Sequence, residues 1–188
     1  VDAVDQGVDV ARDPLGARRS LGVLPHGAGI YPQLTARENV RYFGELHGLR
    51  GAVLEARVQT LVEQLGMNEF ADRRAAGFSQ GQRTKVALAR ALVHSPRHVL
   101  LDEPTNGLDV MATRALRELI RALRAAGHCV LFSSHVMQEV SALCDRIVII
   151  DHGVVAAEGT AAELQARFGG ATLEESFVRV LGDREGLA

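Results

Sequence analysis

Asp102 and Glu103 stand side by side at the end of the apolar run Val99, Leu100, Leu101, within the stretch VLLDEPTNGLD at residues 99–109. A short apolar run without polar alternation reads as a parallel strand buried on both faces, and such strands present ligands at their carboxyl ends. A carboxylate there can hold a divalent cation through water. A second one, pointing the opposite way along a pleated backbone, can activate a water nucleophile. Pro104 then blocks helix continuation and keeps this edge a loop. The plainer alternative is that Asp-Glu-Pro only caps the next helix.

One further group has the composition of an anion site. FSQGQ at residues 78–82 puts a serine N-cap and a glycine on the first turn of a helix that continues as RTKVALARAL. Free amides, a hydroxyl and the positive end of the helix dipole make an anion site there, although a purely structural cap has the same parts. SSH at residues 133–135 places His135 just past a second apolar run, where on its own it reads as a satisfied structural histidine.

The elements that must position these residues can be read from caps and periodicity. Ser or Thr followed three positions later by Glu or Gln marks helix starts at Thr35/Glu38, Ser79/Gln82, Thr160/Glu163 and Thr172/Glu175. Helices are predicted over 36–46, 53–65, 80–93, 110–125 and 137–143, with strands over 20–24, 99–101, 129–133, 146–150 and 154–157. Asp151, His152 and Gly153 form a hairpin turn, and two small helices close the tail. Alternation of strand and helix builds a parallel sheet covered by helices, an α/β fold.

Composition narrows the class. With 188 residues, 47% apolar, the chain can bury a proper core, and a net charge of −2 leaves no electrostatic footprint for nucleic acid. No apolar run approaches a membrane span and no signal peptide opens the sequence. Cys129 lies in the run CVLF, which reads as a core strand where a cysteine acts as a small hydrophobe; both it and Cys144 are expected to be reduced. The seven histidines show no zinc-pair spacing, so no structural metal is expected. The first residue is Val1 rather than Met, which reads as a fragment.

FSQGQ, VLLDEPTNGLD and SSH, in this order and spacing, resemble the nucleotide-binding domain of ABC transporters. The resemblance implies a P-loop NTPase-like parallel sheet with a helical subdomain, and ATP and Mg²⁺ as cofactors. It implies that Asp102 holds Mg²⁺ through water as the Walker B acid, that Glu103 is the general base, and that His135 is the switch histidine. Ser79, Gly81 and Gln82 would be the retained part of the Leu-Ser-Gly-Gly-Gln signature, in which Phe78 replaces Leu and Gln80 replaces the first Gly. Asn106, Gly107, Leu108 and Asp109 match the D-loop, which bridges two subunits in the family; Asp109 also reads as the N-cap of the following helix.

GVLPHGAGIYPQLTARENV, residues 22–40, resembles the Q-loop and the start of the part that touches the membrane subunit. His26 stands where the family has glutamine, and imidazole is a poorer ligand for Mg²⁺ than a carbonyl oxygen. Gln33 is the alternative for that role. TLEESFVRVLG, from Thr172, resembles the closing helix of drug-, sodium- or polysaccharide-type exporters; as a plain amphipathic helix it would pack Leu173, Phe177 and Val180 inward.

A loop of the form Gly-x4-Gly-Lys-Ser/Thr is absent: the only lysine, Lys85, follows Thr84. The expected organisation is therefore a partial ABC ATPase, incomplete at the N-terminus. Residues 1–34 would end the core strands and carry the Q-loop region, and 35–95 the helical subdomain with the signature. Residues 96–159 would form the catalytic core with Walker B, D-loop and switch histidine, followed by C-terminal helices over 160–188. The implied partners are a second nucleotide-binding subunit, identical or not, and a transmembrane permease, with no nucleic acid. The implied location is the cytoplasmic face of the membrane. The competing readings are a non-transport ABC ATPase and a nonhydrolysing fragment.

Overall fold

Apolar β-prone runs separated by capped helices produce the predicted alternation. The computed structural model describes residues 4, 5, 8–27 and 29–185; Val1, on which the reading as a fragment partly rested, and Ala28 in the Q-loop-like segment lie outside these. A short hairpin, β1 (Val4–Asp5) and β2 (Val8–Asp9), leads into α1 (Pro14–Ser20) and β3 (Leu21–Leu24). Then come α2 (Ala36–Leu46), α3 (Gly51–Gln64), a 3-10 turn (Ala75–Gly77), α4 (Gln80–Leu92), β4 (His98–Leu101), α5 (Val110–Ala125) and β5 (Cys129–Phe132). The chain continues with α6 (Met137–Leu143), β6 (Ile147–Asp151), β7 (Val154–Gly159), α7 (Ala161–Phe168) and α8 (Leu173–Glu185). Among the described residues, no helix is long and apolar enough to cross a membrane.

Helix α1 was not anticipated, although Asp13 followed by Pro14 is a helix-start signal: the Asp13 carboxylate accepts the Gly16 N–H at 2.8 Å, and proline's fixed φ suits the first turn. Three predicted capping boxes form in full, at Thr35, Ser79 and Thr160. The fourth is displaced: Thr172 Oγ1 accepts the Glu175 N–H, but the Glu175 carboxylate accepts from Ala171 instead of Thr172.

The chain divides into two compact units, up to Ser133 and from Ser134 onward. In the first, β3, β4 and β5 pair in parallel, with Leu21, His98 and Cys129 in one row and Leu24, Leu101 and Phe132 in another. Gly22 is required beside α4: a Cβ there would run into the Ala91 carbonyl oxygen and the Pro96 ring. The strand carrying the acids is not buried on both faces as expected. Val99 and Leu101 are buried, whereas Leu100 is half-buried in a row with exposed Val23 and Leu131.

The expectation that Cys129 is a core residue is also overturned. It is exposed, because among the described residues β5 pairs only with β4, and the Cys129 side chain shares the less covered face with Leu131. The helices packed beside the sheet have their own core, including Val40, Val58, Leu61, Met67 and Val86. Phe78 is part of it, 5% exposed and edge-on to Phe70 at 5.1 Å, so the residue standing in place of the signature leucine fills core volume.

In the second unit, β6 and β7 form an antiparallel hairpin whose turn residues His152 and Gly153 both have positive φ. Val140, Ile147, Ile149, Ala157, Leu164, Leu173 and Val180 form its core, with Phe177 partly buried against it, matching the inward face expected for the tail helix.

Candidate functional site

The acids sit where β4 leaves the sheet. The Asp102 amide donates to Leu24 O at 2.8 Å and the Ser133 amide to Leu101 O at 2.9 Å, so strand pairing continues one residue beyond the strands on both sides. This places the Ser133 hydroxyl against the Asp102 side chain: Ser133 Oγ donates to Asp102 Oδ1 at 2.7 Å, and the His26 backbone N–H donates to Oδ2 at 3.2 Å. These bonds, the Ser133 hydroxyl foremost, hold the Asp102 carboxyl below its ordinary pKa, so it stays ionised.

Glu103 does not continue the pleat. Its φ of 45° lies in the left-handed region, which costs a non-glycine residue on the order of 1 kcal/mol. The turn is held by the Glu103 N–H donating to Ser133 Oγ at 2.8 Å and the Asn106 N–H donating to Glu103 O at 3.0 Å. In place of two acids pointing opposite ways along a strand, Asp102 and Glu103 line the same open pocket of about 440 Å³.

His26, Gln80, Arg83 and Thr84 line that pocket with them. The loop carrying His26 is tied down from two sides. Arg90 donates to Gly29 O at 2.6 Å with its guanidinium 3.6 Å from the Phe43 ring centroid. Buried Asn39 accepts the Tyr31 N–H at 2.9 Å and donates to Tyr31 O and Thr35 O.

The other predicted residues lie elsewhere. Ser79 and Gln82 do not line the pocket: Ser79 Oγ accepts the Gln82 N–H at 3.3 Å, and Gln82 Oε1 accepts the Ser79 N–H at 3.1 Å. Gly81 faces a second, largely apolar groove of about 270 Å³ with Lys85. The Asp109 carboxylate accepts the Ala112 N–H at 2.8 Å as the N-cap of α5. Gln33 is exposed outside the pocket. His135 is exposed two residues beyond Ser133, at the start of the second unit.

Sequence reasoning missed Gln80 and Arg83 as pocket residues and Ser133 as the hydrogen-bond partner of both acids. For Ser133 a signal existed, a hydroxyl directly after an apolar strand, but its meaning depends on the register that aligns it with Asp102. Among the described residues, no group of three or more His, Cys, Asp or Glu side chains could hold a metal ion. The ionised Asp102 carboxylate at an open pocket suits a cation that keeps most of its water, as Mg²⁺ does.

Residues 4–106 match the family described as ABC transporter. The chain is 44% identical over 154 residues to the ABC transporter ATP-binding protein NatA of Bacillus subtilis, covering 81% of this chain and 63% of that protein. It is 38% identical over 143 residues to the Nod factor export ATP-binding protein I of Bradyrhizobium diazoefficiens, covering 76% of this chain and 47% of that protein. The chain thus spans about half to two thirds of the length of these relatives. A solved structure titled as the ATP binding subunit of an ABC transporter superposes with a TM-score of 0.84 at 31% identity, covering 94% of this chain and 74% of that one. This chain belongs to the ABC transporter ATP-binding family and has the P-loop NTPase-like α/β fold of its ATP-binding subunit.

Proposed function

We propose that this chain is the part of an ATP-hydrolysing subunit that holds the metal-binding acid and the general base, and that the subunit powers an exporter. The observation that carries this reading is the Ser133 hydroxyl joining ionised Asp102 to the Glu103 backbone in one pocket. Phosphoryl transfer to water needs charge neutralisation and a positioned nucleophile, which two differently held carboxylates supply. Asp102 would hold Mg²⁺ through water, with His26 beside it, and the ion would neutralise charge on the phosphates of bound ATP. Glu103 would accept the proton of the attacking water, and His135 would contact the terminal phosphate.

Ser79, Gly81 and Gln82 on the first turn of α4, with Asp109 past the D-loop, would face a second nucleotide-binding subunit. Their absence from the acid pocket agrees with a role toward a partner. Residues 35–95 would form the helical subdomain that meets a permease, holding the protein at the inner face of the membrane. Residues 1–34 would be the end of the core strands with the Q-loop region, 96–159 the catalytic core and 160–188 the C-terminal helices. The export direction is supported by the name of the Bradyrhizobium relative and by the tail from Thr172.

The sequence contains no Gly-x4-Gly-Lys-Ser/Thr loop, so the 188-residue chain by itself is expected to hydrolyse ATP at no more than background rate. Joining it to the phosphate-loop portion of NatA tests the assignment. The chimera should bind and hydrolyse ATP, and Glu103→Gln should abolish turnover while leaving ATP binding in place. Undiminished hydrolysis by a folded Glu103→Gln chimera would overturn the role of Glu103, and a folded chimera that ignores ATP would overturn the reading as a whole.

A further inference from the structure

Two histidines stack beside the start of β3. His47, the C-cap of α2, and His94, in the connection from α4 to β4, have ring centroids 3.5 Å apart and planes within 2° of parallel. His94 Nε2 lies 3.0 Å from Leu21 O, at the start of β3. A carbonyl oxygen only accepts, so Nε2 carries the hydrogen and Nδ1 of the neutral ring is an acceptor. Among the described residues, Nδ1 is buried without a hydrogen-bond partner. Ring lone pairs lie in the ring planes, and two parallel planes do not converge on one ion, so the pair is not a shared metal site.

We propose that the His47–His94 stack is an acid-sensitive latch that holds the end of α2 against the start of β3 at neutral pH and opens when His94 is protonated. Protonation would place an N–H at Nδ1, where the structure offers no acceptor. It would also add positive charge beside two neighbours that disfavour it. One is His47 on α2. The other is Arg57 on α3, whose guanidinium is anchored on Leu92 O at 2.7 Å and Val93 O at 3.2 Å. From β3 the facing group is the Leu21 carbonyl, which is satisfied by the neutral ring and favours a protonated one only weakly against these costs.

Burial, first, and His47 and Arg57 next, push His94 down to about 4 from 6.5, and burial lowers His47 as well. The folded value lies below the unfolded one, so the latch is fully closed above pH 6.5 and weakens as pH falls from 6.5 toward 4.

The test is imidazole NMR of the 188-residue chain, with amide exchange corrected for intrinsic rate. His94 should titrate far below 6.5, and opening at residues 43–49 should rise about tenfold between pH 7.5 and 5.5, the increase that linkage gives for this shift. His94→Gln keeps an N–H for Leu21 O and should remove the pH dependence of opening. His47→Gln should move the His94 midpoint upward. A His94 midpoint near 6.5, or pH-dependent opening that persists in folded His94→Gln, would overturn the proposal.

Discussion

Ser133 and Asp102 lie on neighbouring strand ends with the serine hydroxyl donating to Asp102 Oδ1 at 2.7 Å, while Ser133 Oγ accepts the Glu103 N–H at 2.8 Å. One hydroxyl therefore lowers the pKa of one acid and holds the backbone of the next in its left-handed turn. Replacing it should disturb both.

In Ser133→Ala the Asp102 carboxyl is expected to titrate higher, nearer its ordinary value of 3.8, and Ser133→Thr should retain the low value. A carboxyl whose folded pKa is depressed adds stability that is present above the unfolded value and is lost as pH falls through the folded one. The stability gap between the native chain and Ser133→Ala should accordingly be full above about pH 4 and close on further acidification. Carboxyl carbon NMR and urea melts across pH 2–7 measure the two effects.

Cap and site can be separated at Ser79. Thr35→Ala and Ser79→Ala each remove one N-cap and should each cost about 1 kcal/mol in chemical denaturation. If Ser79 also faces a partner's nucleotide, only Ser79→Ala should weaken ATP-dependent association of the NatA chimera. Equal weakening by both substitutions would reduce Ser79 to a cap.

Gly107 has φ of 72°, and a Cβ there would lie 3.3 Å from the Gln80 Cγ. Gly107→Ala should cost about 1–2 kcal/mol, the penalty for an L-residue in this conformation. Adding Gln80→Gly should recover only the small steric share, because the backbone conformation remains. Urea midpoints of the single and double variants read the difference.

The two thiols should differ in reactivity. Cys129 is exposed, whereas Cys144 is half-buried and its thiol is pushed up by burial, with Asp145 adding to the effect. Near pH 8 a thiol reagent should modify Cys129 well before Cys144. Simultaneous labelling of both in the folded chain would contradict the exposed position found for Cys129.

Local chemistry made much of this molecule legible. The Ser79/Gln82 capping box, the helix over residues 110–125 behind Asp109 and the turn at His152 and Gly153 depend on residues within a few positions of one another, so sequence alone determined them. The acids were recognisable because an apolar run has to end before adjacent carboxylates. Register and cover were decided by the tertiary structure. Aligning Leu101 with Phe132 is what brings Ser133 to Asp102, and an edge position on a partly covered sheet is what exposes Cys129. Both depend on pairing between segments about thirty residues apart, which no local pattern encodes. So does the left-handed turn at Glu103, a strained conformation for a glutamate that the Ser133 hydroxyl helps to hold.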